Sequence, residues 1–96
     1  MKELLARKNA QVLALEAAKR AGGSRRAIDD LASDVAVLEG QLARLFASAG
    51  RRDDAAISLI SAASCLDDAR RGAESRRLLE RARYFAEGNR LRAWIA

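Results

Sequence analysis

Three pairs of adjacent carboxylates, one thiol and a dense set of arginines are the groups in this sequence with chemistry to offer. The pairs are Asp29-Asp30, Asp53-Asp54 and Asp67-Asp68, and the thiol is Cys65. Paired carboxylates do acid–base work when they share a proton, which requires both side chains at one spot. Consecutive residues on a helix point about 100° apart, so these pairs make no dyad by themselves. No His occurs in the 96 residues, so the usual neutral-pH acid/base is missing. A single Cys excludes a disulfide framework and, without His, a Cys/His zinc site within one chain. The sequence also holds no phosphate-cradling glycine loop, nucleophile elbow or metal-ligand cluster. We therefore expect no enzyme, no catalytic residue, no metal and no cofactor. Cys65 reads as a small apolar filler near the rim of a core rather than a reactive thiol.

The arginines are the stronger signal. Lys and Arg number 18 against 13 Asp and Glu, a net charge of +5, and only three of the 18 are Lys. The charge is unevenly placed. Residues 27–40 hold Asp29, Asp30, Asp34 and Glu39 and no basic residue, whereas residues 69–92 hold eight Arg against Glu74, Glu80 and Glu87. Within that basic window Arg76, Glu80, Arg83, Glu87 and Arg90 fall at intervals of three and four. On a helix this spacing is a solvated ladder of ion pairs, each worth a few tenths of a kcal/mol. Arg70, Arg71, Arg77 and Arg81 lie off the ladder, with Tyr84 nearby, and form the best unpaired cluster. Guanidinium groups of this kind suit carboxylate or phosphate.

These groups must be carried by helices. Half of the residues are hydrophobic, and Ala (22) and Leu (13) dominate with Arg, all strong helix formers, with no Pro to interrupt them. The same bias is that of a GC-rich, bacterial coding genome. Glycine and capping residues divide the chain into helices at 2–21, 25–48, 53–69 and 74–87, with a short helical tail at 90–96. Gly22-Gly23, Gly50 and Gly88-Asn89 are stop signals, Gly72 follows the third helix, and Ser24 and Asp53 are candidate N-caps. The expected fold is all-α: antiparallel hairpins forming a small four-helix bundle, one domain over residues 1–96.

The second helix has the strongest pattern. Ile28, Leu31, Val35, Leu38, Leu42 and Leu45 alternate at spacings of three and four, a complete seam for an intrachain core or for a homodimeric coiled coil. Its small stripe, Ala32, Ala36, Gly40, Ala43 and Ala47, matches one on the first helix, Ala6, Ala10, Ala14, Ala17 and Ala21. Small residues let backbones approach closely. We expect Ala17 to face Ala32, Ala10 to face Gly40 and Ala6 to face Ala43. In the third helix Ala55, Ala56, Leu59, Ile60, Ala63 and Leu66 form the apolar arc and Ser58, Ser61 and Ser64 face away. The fourth buries Leu78, Leu79, Ala82, Phe85 and Ala86. Leu91, Trp94 and Ile95 point away from that face, so the chain is expected to bend at Gly88-Asn89 and dock its tail on the core, on a partner or on a second copy.

The segment from Ala36 to Ala69 resembles one tetratricopeptide repeat. Leu42-Ala43, Phe46, Gly50, Ala55, Leu59 and Ala62 fall at that family's signature spacing. Glu39 and Arg52 stand where aromatics are usual, and Asp67 replaces the terminal Pro. Tyr84 and Gly88 echo Phe46 and Gly50 at an interval of 38 residues rather than 34, so no full tandem repeat is present. The resemblance implies a protein-binding scaffold. No apolar run is long enough for a membrane span or a signal-peptide core. A lone Cys suits a reducing cytoplasm, where we expect the chain to act.

From sequence, then, the expected function is that of a small, non-catalytic protein–protein interaction module of the adaptor, regulator or inhibitor type. It would bind another protein or a second copy of itself. The alternative is a basic nucleic-acid-binding protein using Arg70, Arg71, Arg77 and Arg81 on phosphates. Low aromatic content and the absence of a recognition-helix motif favour protein.

Overall fold

Three of the four helices end in the same way, and those endings set the fold. The computed structural model describes residues 1–86, which form α1 (Lys2–Arg20), α2 (Arg25–Ser48), α3 (Arg52–Asp68) and α4 (Gly72–Phe85). After α1 the amide of Gly23 donates to the Ala18 carbonyl (2.9 Å) and that of Gly22 to Lys19 (3.2 Å). After α2 Arg51 donates to Phe46 (2.8 Å) and Gly50 to Ala47 (3.1 Å); after α3 Arg71 donates to Leu66 (2.8 Å) and Arg70 to Asp67 (3.0 Å). Each is a Schellman closure with its pivotal residue in the left-handed region, at φ +67° for Gly22, +74° for Gly50 and +60° for Arg70. The first two pivots are legible as glycines. The third is not: it is Arg70, and Gly72 instead opens α4.

These turns fold the chain back on itself, so that α1 packs on α2, α2 on α3 and α3 on α4. All described elements are helical, and the fold is all-α and bundle-like. Its centre is the α2–α3 hairpin. Ala32, Ala36 and Ala43 of α2 and Ala55, Ala56, Ala62 and Ala63 of α3 are all buried, with Leu42 and Leu59 filling between them. Alanine at the contact lets two helix backbones approach closely. Burying Leu42 or Leu59 then contributes about 1.5–3 kcal/mol each. The α2 seam lies in this core: Val35, Leu38 and Leu42 are buried, Ile28 and Leu31 half-buried, and Leu45 is exposed. Those three central seam residues are thus covered within one chain.

Within the small stripe of α2, Ala36 and Ala43 pack on α3 and α4, whereas Ala32 meets the larger residues of α1 rather than its alanines. Ala43 clusters with Ala56, Leu59, Ala82 and Ala86, and Ala36 with Ala62 and Leu66. The expected α1–α2 pairings do not form. Ala6, Ala10, Ala14, Ala17 and Ala21 are all exposed, and a side-chain carbon at Gly40 would meet nothing within 4 Å. Instead α1 turns Leu4, Leu5, Val12 and Leu15 inward; Leu15 meets Ala32, Val35 and Ala69, and Leu4 and Leu5 reach the Leu42–Phe46–Ala55 cluster. Leu and Val bury more apolar area than Ala, so the larger residues decide which face docks. Ser58 also departs from expectation and is buried, because α3 is covered on both sides by α2 and α4.

Local details follow the same logic. Ser24 caps α2, its Oγ accepting from the Ala27 amide at 3.1 Å. Asp53 does not cap α3; the chain passes from the α2 closure into Arg51 at the cap position, and Asp53 and Asp54 fall within the first turn. There their charge opposes the positive end of the helix dipole. On α4, Ser75, Ala82 and Ala86 are buried and Leu78, Leu79 and Phe85 half-buried. Helix α4 ends at Phe85, ahead of the expected Gly88-Asn89 bend, and Ala86 is extended (φ −64°, ψ 123°). The tail 90–96, with Leu91, Trp94 and Ile95, lies outside the described residues.

Two substitutions test these assignments by thermal or urea unfolding. Arg70→Gly relieves a left-handed L-residue and should stabilise by about 1 kcal/mol, raising Tm by about 4–8 °C for a domain of this size. Gly40→Ala should stabilise by about 0.5–1 kcal/mol, because the space around it is open; a destabilised variant would show a close contact at Gly40 after all.

Candidate functional site

The arginines sort into those that hold the fold together and those that do not. Arg71 belongs to the first group. It grips Glu74 with Nε to Oε1 at 2.9 Å and Nη2 to Oε2 at 2.6 Å, and Nη1 donates to Ser33 Oγ at 3.3 Å. It therefore fastens the start of α4 to α2 and is not free, as the sequence suggested. Arg51 repeats the device one turn earlier in the chain, pairing with Asp54 at 2.7 Å and lying 4.7 Å above the Phe46 ring. Arg52 donates to the Tyr84 carbonyl at 3.0 Å, satisfying a terminal carbonyl of α4, and sits 5.3 Å from the rings of both Tyr84 and Phe85. Tyr84 is 72% exposed, but its cationic neighbour is thus Arg52 of α3.

The acidic pairs have similar duties. Asp68 accepts from Lys19 Nζ at 2.7 Å, and Arg25 Nη2 donates to the Asp68 backbone carbonyl. That hydrogen bond to Asp68 raises the Lys19 ammonium above its ordinary value. Lys19 and Arg25, rather than Arg70 and Arg71, thus offset the carboxylate at the negative end of α3. Arg25 also pairs with Asp29 at 2.8 Å. No group of three His, Cys, Asp or Glu is placed to hold a metal ion among the described residues.

Arg77 and Arg81 form the second group. Both are exposed, and among the described residues neither makes an ion pair or hydrogen bond. The described part of the expected ladder is not formed either: no ion pair joins Arg76 to Glu80 or Glu80 to Arg83, and Glu87 and Arg90 lie outside the described residues. An exposed pair at this spacing is worth only a few tenths of a kcal/mol, close to the entropy cost of holding two long side chains. Arg77 borders a groove of about 310 Å³ beside Leu66, Glu74 and Leu78. Arg81 borders another of about 280 Å³, and there it meets Arg44 of α2 over a floor of Ala43, Ala47 and Phe85. Arg44 lies outside the basic window of the sequence, so only the packing of α2 against α4 brings it to Arg81. Arg70 is exposed beyond the α3 closure, while Trp94 and Ile95 fall outside the described residues.

A further polar cluster went unnoticed in the sequence. Glu39, read there as part of an acidic window, is only 6% exposed. It lines a cleft of about 470 Å³ bounded by α1, α2 and α3, together with Lys8, Ser61 and Cys65. Burial holds the Glu39 carboxyl above its ordinary value, while the Lys8 ammonium and a hydrogen bond with Ser61 act against that rise. Burial likewise pushes the Cys65 thiol up to about 11, with the negative charge of Asp68 and Glu39 adding to it and Lys19 opposing. Cys65 is half-buried at the rim, as expected.

No known family model, curated protein or solved structure matches the chain.

Two measurements follow. Alkylation of Cys65 by iodoacetamide should run roughly 100-fold slower at pH 8 than that of an ordinary thiol, with a rate midpoint at about pH 11; a midpoint near 8.5 would show an open thiol. Glu39 is protonated more readily folded than unfolded, so its carboxyl destabilises the fold increasingly as pH rises from the unfolded value through the folded one. Glu39→Gln should therefore be more stable than wild type at pH 7, with the difference shrinking as pH falls through the raised folded value and gone below the ordinary value of 4.5.

Proposed function

We propose that this chain is a non-catalytic helical interaction module that binds an acidic protein surface through Arg44, Arg77 and Arg81. The observation that carries this reading is the division of labour among the cations. Arg25, Arg51, Arg52, Arg71 and Lys19 are spent on turns and helix ends. Arg77 and Arg81, by contrast, stand without ion pairs among the described residues, and both Arg44 and Arg81 flank an apolar floor. Guanidinium groups beside exposed apolar surface suit a protein carboxylate flanked by apolar side chains. Arg70 extends the basic face, and Trp94 and Ile95 supply further apolar contact in this proposal.

Two features support protein as the partner class. The sequence resemblance of residues 36–69 to a tetratricopeptide repeat implies a protein-binding scaffold. The outer side of α1 also leaves Leu13 69% exposed among the exposed Ala6, Ala10, Ala14 and Ala17. A surface of that composition suits another helix, from a partner or from a second copy. No described helix is long and apolar enough to cross a membrane. We place the module in the cytoplasm on the strength of its single reduced-type Cys.

The second reading, phosphate contact with nucleic acid, uses the same arginines, and one experiment separates the two. Wild type and the variant Arg44→Glu/Arg77→Glu/Arg81→Glu are used for affinity capture from the source cell, and both are titrated with random duplex and single-stranded DNA at about 50 and 200 mM salt. The expected result is a protein retained by wild type and lost by the variant, with no DNA binding at the higher salt. Tight, salt-dependent DNA binding that the variant abolishes would transfer the face to nucleic acid. Sedimentation at tens of micromolar reads self-association directly, and a monomer rejects the homodimer as the resting state.

A further inference from the structure

The cleft between α1 and α3 holds a charge that the fold does not need. Glu39 of α2 lines this cleft and is only 6% exposed. A carboxylate taken from water is costly unless ions or hydrogen bonds replace its hydration. Here the replacement is incomplete. Lys8 of α1 and the Ser61 hydroxyl both favour the charged form of Glu39. No ion pair joins Lys8 to Glu39 among the described residues, and the side chains of both border the open volume. The walls are apolar where Val12, Val35 and Ile60 contribute. A buried anion lining a cleft with apolar side chains beside it, only partly compensated, is complementary to a cation on an aliphatic stem.

We propose that this cleft is a binding site for an alkyl cation, presented as the Lys or Arg side chain of a partner protein. The aliphatic stem lies against Val12, Val35 and Ile60, and the ammonium or guanidinium reaches Glu39. Lys8 is the internal competitor, close enough to repel the incoming cation. The site uses none of the α4 arginines, so it stands apart from the acidic-surface reading above.

The probes are n-butylguanidinium and its uncharged counterpart n-butylurea, titrated at fixed ionic strength and pH 7.5 into isotopically labelled protein. Amide shifts and the Glu39 side-chain carboxyl resonance report occupancy. Saturable binding of n-butylguanidinium should move resonances of Glu39, Val35 and Ile60, at least fivefold more tightly than n-butylurea. Glu39→Gln should lose that preference, while Lys8→Gln should keep it or strengthen it. Far-ultraviolet circular dichroism confirms that both variants remain folded, and Lys8→Gln tests the site should Glu39→Gln repack the cleft. Equal binding of the two probes, an unchanged preference in Glu39→Gln, weakened binding in Lys8→Gln, or no saturable shift in wild type would each overturn the proposal. N-acetyl-arginine amide serves as the side chain in its peptide setting; failure of that probe alone to bind would overturn the assignment to a partner protein.

Discussion

The structure depends on the close approach of α2 and α3. Alanine at positions 32, 36, 43, 55, 56, 62 and 63 removes side-chain bulk from the contact, and Leu42 and Leu59 occupy what remains. Packing at this distance yields dispersion contacts along both backbones, each small and together large. It also makes α3 a central helix, covered by α2 on one side and by α4 on the other. That is why Ser58, on a side that looks solvent-facing in sequence, is buried, and why Ala82 and Ala86 of α4 reach the same cluster as Ala43. The thinness of the alanine layer has a consequence for α1. With α3 and α4 using Ala36 and Ala43 of α2, the first helix packs through its own larger residues and leaves its alanines outside.

The turns show how an arginine-rich chain spends its charge. Each of the three closures leaves the next helix to begin almost at once, without room for a Ser or Asp cap after α2 or α3. An Arg at the cap position instead pairs with the acidic residue three places on, Arg51 with Asp54 and Arg71 with Glu74. These exposed pairs are individually weak. Their effect is to orient the turn, since Arg71 also reaches Ser33 on α2 and Arg51 covers the Phe46 ring. Lys19 and Arg25 meet at the end of α3 in the same manner. The net charge of +5 therefore overstates the density of free cations at the helix ends and understates it along α4, where Arg76, Glu80 and Arg83 do not pair among the described residues.

Much of the fold was legible because helix termini and apolar periodicity are local. Gly22, Gly50 and Ser24 mark boundaries that the structure reproduces within a residue or two, and the α2 seam and the α4 inner face are where their spacing puts them. Three features escaped. The left-handed Arg70 carries no sequence mark, since the residue type argues against the conformation it adopts. The α1 face was misjudged because two stripes compete on that helix, and the choice depends on which neighbour has room. Glu39 carries no local mark of burial, because its burial is decided by α1 and α3, whose residues beside it lie well away along the chain.

The same division holds for the candidate site. Residue order by itself determined an all-α chain of four helices, the turn positions, and an arginine-rich fourth helix, because propensity, capping and charge spacing act over a few residues. The tertiary structure decided which arginines are engaged and which are not. It took Arg71 out of the expected cluster, brought Arg44 from α2 to Arg81, and enclosed Glu39 beside Lys8 and Ser61. Those outcomes depend on side chains from different helices meeting in space, and pairing energies of a few tenths of a kcal/mol are settled by packing geometry rather than by sequence separation.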